Sequence, residues 1–410
     1  MAPTQPPLSL SLIDLASAIT LPEIGRDIVI AVSDACLDRE RFGHAGAEGL
    51  AIQRLITLAH AAASLRFIWA SAVANQVIAT PSVHPLAAVV LCLTNATHVF
   101  EGMDEAATSE NLTSTRNKIL SYRLVTDLFT DCQALVCVDA PRPSLPHDLY
   151  DAPTRRLRPE ADFESLVDDL VLAQQSAGFS AQRLSKLRMA LSVILRELLE
   201  NTDDHAKTDA EGKALSPNSL RGLLVKRIFE TRRHPEHGAG SSAPIPCLEF
   251  TIFDSGIGYY DSYRRQLLRG QARGAPVEVG DRQVDTIRAH ALGPAVSPDV
   301  EYAIVLKCMG RHSDKAIPDP RPGHRGMGLY EVLRALKEMR GLLEVRTGRV
   351  HGFRSFLEGE LRAQLEPQDS PTRPGMPRAT LLDVDHRLST RPAPRDMVRG
   401  TVVRVVVPLA

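Results

Sequence analysis

Glu197 and Asn201 lie one helical turn apart in LRELLENTDDHA, residues 195–206, a stretch with more charge than a core helix needs. A carboxylate and a carboxamide at this spacing project from the same side of a helix. Together they can hold a hydrated divalent cation and orient a water, because Mg²⁺ takes few protein oxygens and keeps several waters. They can equally be a polar helix flank with an i,i+4 hydrogen bond. Two glycine-bearing stretches follow. FDSGIG supplies Asp254, Gly256 and Gly258 after an apolar run. A carboxylate at a strand end can accept a hydrogen bond from an exocyclic amine such as that of adenine, and the glycines let a ligand approach the backbone. Asp-Ser-Gly is also an ordinary turn. GHRGMGL supplies Gly323, Gly326 and Gly328 just before a helical run, where free amides can cradle phosphate. The pattern GxxxxGK[ST] is absent, so a nucleotide site here would not be a P-loop.

These residues need particular elements behind them. Leu184, Leu187, Leu191, Ile194, Leu195 and Leu198 repeat at helical spacing and predict a helix over 181–206. At about 100° per residue, Glu197, Asn201 and Asp204 form a stripe beside that apolar face, whereas Glu200 points away from it. Leu248, Phe250 and Ile252 alternate with Glu249, Thr251 and Phe253, which predicts a strand over 247–254. GMGLYEVLRALKEMRG predicts a helix capped by Gly341. LLEVRTG and GTVVRVVVPL read as strands, with a Pro-rich excursion at 354–399 between them and an irregular stretch at 255–325 before them.

Upstream, RDIVIAVSD, LRFIWASA and CQALVCVDA read as strands alternating with helices near 46–64 and 117–130, which suggests a small α/β domain over 1–140. It shows no catalytic constellation. The segment 141–160 is Pro-rich and reads as a linker, and another helix is expected at 161–176. The predicted class is α+β: a two-layer sandwich over 161–410, with a mixed sheet covered by helices, preceded by the smaller α/β domain.

With 48 basic and 49 acidic residues the net charge is -1, which gives no general reason to expect nucleic acid or an anionic membrane as partner. The start MAPTQPPLSLSL lacks the features of a signal peptide, and the longest apolar stretch, LAAVVLCL at 86–93, is too short to span a bilayer. A cytoplasmic location is expected. Cys36, Cys92, Cys132, Cys137, Cys247 and Cys308 show no CxxC spacing and read as free thiols.

Glu197-x-x-x-Asn201, Asp254-x-Gly256-x-Gly258, Gly326-x-Gly328 and Gly400-Thr401 occur in an order that resembles the GHKL superfamily of gyrase B subunits, heat-shock chaperones, mismatch-repair ATPases and histidine kinases. The resemblance covers about 160–410 and implies a Bergerat ATP-binding fold with ATP and Mg²⁺ as cofactors. It implies Asn201 as the Mg²⁺ ligand, Asp254 as the reader of the adenine amine, Gly256, Gly258, Gly326 and Gly328 as the two glycine boxes, and Thr401 as a water-mediated adenine contact. Residues 259–325 would be the ATP lid, with Lys315, His324 and Arg325 as candidate phosphate contacts. Glu197 matches the general base of the hydrolases and serine kinases. Asp204 matches the mismatch-repair and chaperone pattern, yet His205 stands where the serine-kinase branch has a histidine. No phosphoacceptor context surrounds His60 or His147, which disfavours autophosphorylation on histidine. The expected activity is ATP hydrolysis driving a conformational switch in a regulatory protein with a protein partner or a second copy. A serine/threonine protein kinase of the anti-sigma type and a non-catalytic nucleotide-gated module are the alternatives.

Overall fold

The computed structural model describes residues 6–16, 25–33, 46–79, 85–93, 95–121, 132–139, 145–146, 149–173, 181–209, 213–215, 219–231, 244–272, 297–309, 328–356, 381–383, 393 and 395–409. The chain is α+β, with one parallel and one antiparallel sheet. No helix among the described residues is long and apolar enough to cross a membrane.

In the first region β1 (Leu8–Ser11), β2 (Asp27–Val32), β3 (Ser64–Trp69) and β4 (Ala96–Phe100) pair in that order, all parallel. Parallel neighbours require crossovers. α1 (Ala47–Ala61) joins β2 to β3, and α2 (Ser71–Ala79) and α3 (Pro85–Leu91) join β3 to β4. Leu65, Phe67 and Trp69 of β3 alternate inward against exposed Ser64 and Arg66. The helix expected near 117–130 is α4 (Glu105–Ser121), which starts much earlier. Its N-terminus is set by Asp104 Oδ1, which accepts the Ala107 amide at 2.8 Å, a cap that apolar periodicity does not reveal.

The second region contains β5 (Cys132–Val138), α5 (Glu160–Ala173), α6 (Ala181–His205), β6 (Leu220–Thr231), β7 (Pro244–Asp254), α7 (Gly258–Ala272), α8 (Pro298–Cys308), α9 (Gly328–Met339), β8 (Leu342–Gly348), β9 (Val350–Ser355), β10 (Leu382–Asp383) and β11 (Val398–Pro408). Its sheet has the order β10-β9-β8-β11-β7-β6-β5. A mixed sheet was expected, but every pairing among the described strands is antiparallel. The reason is topological: β11 returns from the end of the chain and inserts between β7 and β8, which would otherwise meet as parallel neighbours. β5, grouped with the first region by its sequence position, pairs with β6 as an edge of this second sheet. In the segment read as a linker, Leu149 and Tyr150 are buried in the second region's core. The stretch read as irregular holds α7 and α8, which pack through Tyr260, Tyr263 and Ile304. The start of α8 carries a legible signal, Pro298 at its first turn after Ser297.

Alternation sorts the sheet's two faces. Leu248, Phe250 and Ile252 of β7, Val403, Val405 and Val407 of β11 and Leu343 and Val345 of β8 pack with α5, α6 and α9 in one core. Phe253, Val402, Leu220 and Leu224 join a second core with α1 and the parallel sheet. Helices of the second region cover one face of the antiparallel sheet, and α1 of the first region covers the other. Within α9 the expected glycine cap is displaced by one residue. Arg340 takes the left-handed turn (φ 53), and the Gly341 amide closes the helix onto Leu336 O at 2.8 Å.

Candidate functional site

The apolar stripe of α6 buries Leu187, Leu191, Ile194, Leu195 and Leu198 and so fixes the roll of the helix. That roll brings Asn201, Thr202 and His205 over the ends of β7 and β11. They line one pocket with Leu198, Ile252, Asp254, Gly258, Tyr259, Thr401 and Val403. Its empty volume, open solvent included, is about 380 Å³. Asn201, Asp254, Gly258 and Thr401, named from sequence on separate elements, thus share a cavity. Glu197 is not among its lining residues. It lies one turn earlier on α6, half-buried, with its carboxylate 3.5 Å from Arg196 Nη1. Asp204 is half-buried and also outside the lining. Gly328 opens α9. Gly326, Arg325, Gly323, His324 and Lys315 lie outside the described residues, as does His147.

Asp254 is the polar centre of the pocket. Its Oδ1 accepts the Gly256 amide at 2.8 Å and the Thr401 amide at 3.3 Å. Burial pushes its carboxyl up to about 6, although those two bonds and the charges of Arg221 and Arg399 act in the opposite direction. A carboxylate poised there can switch between acceptor and donor within the ordinary pH range. The turn after it is tight. A Cβ on Gly256 would lie 2.7 Å from Ala206 Cα, so glycine is what lets the end of α6 approach. Gly258 has φ +78, and a Cβ there would meet Thr347 Oγ1 at 2.7 Å.

On the facing helix, Asn201 Nδ2 is buried with no hydrogen-bond partner among the described residues. A buried unpaired amide is unfavourable in a finished fold and points to a missing partner. Two groups around the pocket were not foreseen. Thr347 ends β8 opposite Thr401, and the two hydroxyls stand 3.2 Å apart, while Thr347 Oγ1 accepts the Tyr259 amide at 3.1 Å. A threonine at the end of each of two adjacent strands was the available signal. Arg221, only 1% exposed, pairs in register with Asp254. It forms a fork with Asp139 (2.8 Å twice), reaches Asp203 at 3.0 Å and contacts the Tyr150 hydroxyl. Asp203 follows Asn201 by two residues, so this clamp ties the last turn of α6 to the sheet. Arg221 lies 71 positions from Tyr150 and 82 from Asp139, and no local pattern announces those partners.

Comparison with protein-family models, curated proteins and solved structures gives no match. The functional reading therefore rests on the pocket and on the order of its residues.

Among the described residues no three His, Cys, Asp or Glu side chains form a cluster that could hold a metal ion. The chemistry at hand is a single carboxamide, a buried carboxylate, hydroxyls and close backbone.

Proposed function

We propose that the chain is a Mg²⁺-dependent adenine-nucleotide-binding protein whose second region is a GHKL-type domain with the Bergerat architecture. One observation carries the reading: Asp254 of β7, Asn201 of α6 and Thr401 of β11, named from separate stretches of sequence, line one pocket. Asp254 would accept the adenine amino group, with Thr401 beside it. Gly258 leaves the backbone approachable, and Asn201 would hold Mg²⁺ through its carboxamide oxygen. The chemistry such a metal would supply there is positive charge against that of the phosphates. Glu197 is assigned as general base by the resemblance and by its place one turn from Asn201. Hydrolysis coupled to a conformational switch is the preferred activity.

Equilibrium binding of Mg·ATP to the full chain tests the core of this reading. ATP should bind with micromolar affinity and outcompete GTP, and Asn201→Ala should weaken Mg·ATP more than tenfold while leaving metal-free nucleotide less affected. Equal binding of ATP and GTP, or none, overturns it. With γ-labelled ATP and a lysate, free phosphate that disappears in Glu197→Ala supports the hydrolase. Label transferred to a protein identifies the kinase alternative, and binding without either product identifies a nucleotide-gated module.

A further inference from the structure

The helix that covers the back of the antiparallel sheet carries two polar side chains where packing alone calls for none. Gln53 of α1 is 0% exposed. Its Nε2 donates to Arg346 O at 2.9 Å and lies 3.4 Å from Gly400 O, while its Oε1 is buried with no partner among the described residues. One turn on, Thr57 Oγ1 accepts the Arg399 amide at 2.9 Å and donates to Gln53 O at 2.7 Å. A fully buried carboxamide with one unsatisfied atom is a costly way to fill a core.

The backbone that these two residues grip is irregular. β11 shifts register against β8 between Val398 and Thr401, and Gly400 there has φ +77. A Cβ on Gly400 would lie 1.9 Å from Asp254 O. The Gly400 amide donates to Gly256 O at 3.0 Å, and the next amide, that of Thr401, reaches the Asp254 carboxylate. The bulge is thus held from behind by the first region and in turn holds the turn that carries Asp254.

We propose that Gln53 and Thr57 are positioning residues for the pocket: through the 399–400 bulge, α1 sets where the Thr401 amide meets Asp254, so that a displacement of the first region is read as a change in nucleotide affinity. The coupling rests on the nucleotide reading given above. It makes the first region part of the site's control, with α1 as the moving element.

The Asp254 carboxyl reports the contact. The titratable and charged groups that bear on it are Arg221 from β6, Arg399 from β11, Tyr259 from α7 and His205 from α6, which lines the same pocket. Both amide donors lean on the bulge: the Gly400 amide holds Gly256 O, and Thr401 follows Gly400 directly; the longer of the two bonds, from the Thr401 amide at 3.3 Å, is the donor that comes from β11 itself. Loosening the bulge removes that donor, and Asp254 then holds its proton to higher pH. Adenine binding needs the ionised carboxylate, so the pH at which affinity is half lost rises.

The experiment uses the full chain and follows the dissociation constant of Mg·ATP from about pH 5 to about pH 8.5, with the parent as reference so that the ligand's own titration cancels. Gln53→Leu and Thr57→Val should each raise the midpoint by about half a unit or more. For a half-unit shift each should weaken binding about threefold near pH 5 and leave it close to the parent value near pH 8.5. Thr57→Ser keeps the hydroxyl and should retain the parent midpoint. If Gln53→Leu fails to fold, the Thr57→Val and Thr57→Ser pair reads the same bulge. Variants that lose stability yet keep the parent midpoint overturn the coupling and leave the nucleotide reading intact. A parent chain that binds no adenine nucleotide at any pH overturns the reading and the coupling with it.

Discussion

The two faces of the antiparallel sheet are made by the same strands but obey different physics. Toward α5, α6 and α9 the strands present Leu248, Phe250, Ile252, Val403, Val405, Leu343 and Val345, a continuous apolar core. Toward α1 they present buried ions beside the apolar Phe253 and Val402. Lys226 bonds Glu48 of α1 and approaches Glu249 at 3.4 Å. Arg404 bonds Glu249 at 2.7 Å and Glu344 at 2.8 Å, and His351 reaches Glu344 at 2.8 Å. Glu249 is 2% exposed and also accepts the Gly46 amide at the start of α1. Apolar packing is tolerant of small shifts and fixes the roll of α6. Paired ions are intolerant of them and fix where α1 lands. The difference teaches that one face builds the pocket and the other attaches the first region to it.

That contrast can be broken most severely at the centre of each face. Phe250→Ala should destabilise the chain by about 3–5 kcal/mol through lost burial and a cavity. Arg404→Met should cost a similar amount, about 3–5 kcal/mol, for a different reason: it leaves Glu249 and Glu344 buried without their shared partner. Urea unfolding separates the two. The deficit of Arg404→Met should shrink at low pH, where Glu344, despite its burial held down to about 2 in the parent by His351 and Arg404, can take a proton, and that of Phe250→Ala should not. If both respond alike to pH, the ionic face carries no distinct role.

A smaller effect sharpens the role of the pocket. The folded carboxyl of Asp254 lies near 6, above its ordinary value of 3.8. The sign follows from linkage: the native state binds this proton more tightly, so the associated stability is present below 3.8 and lost as pH rises through about 6. Asp254→Asn keeps an oxygen for the Gly256 and Thr401 amides and removes the buried charge. It should match the parent in stability near pH 4 and exceed it by up to about 3 kcal/mol above pH 6.5, while binding adenine nucleotide far more weakly. A variant that gains stability and keeps its affinity would show that Asp254 is not the base reader.

Much of the apolar face was legible in sequence. The stripe from Leu187 to Leu198 and the alternation from Leu248 to Ile252 are uninterrupted, so α6 and β7 could be placed and Asn201 aimed at Asp254. The ionic face hid its own elements. β6, LRGLLVKRIFET from 220 to 231, carries Arg221, Lys226 and Arg227 among its apolar residues, and those charges mask a core strand. Lys226 and Arg404 look like solvent-facing positions, yet their partners lie up to 178 residues away, and only the folded chain reveals that they are buried. The contribution of α1 was illegible for the same reason. Gln53 and Thr57 meet residues more than 290 positions distant.

The smallest effect tests how closely α1 is seated between these two regimes. Gly49 packs on the sheet where an added Cβ would stand 2.8 Å from Thr251 Cγ2 and 3.2 Å from Val402 Cγ1. On a free helix Gly→Ala gains about 1 kcal/mol. Here both neighbours sit on strands paired on each side, so they cannot retreat without disturbing the register that carries Asp254 and Thr401. Overpacking of this kind costs about 1–3 kcal/mol, so Gly49→Ala should be net destabilising by about 1 kcal/mol. Thr251→Ser removes the methyl that clashes. In a double-mutant cycle by urea unfolding, Thr251→Ser should turn Gly49→Ala from a loss into a small gain, with a coupling energy of about 1 kcal/mol. A gain from Gly49→Ala in the parent background would mean that α1 rides loosely on the sheet, and a loosely riding helix could not transmit a displacement to the bulge.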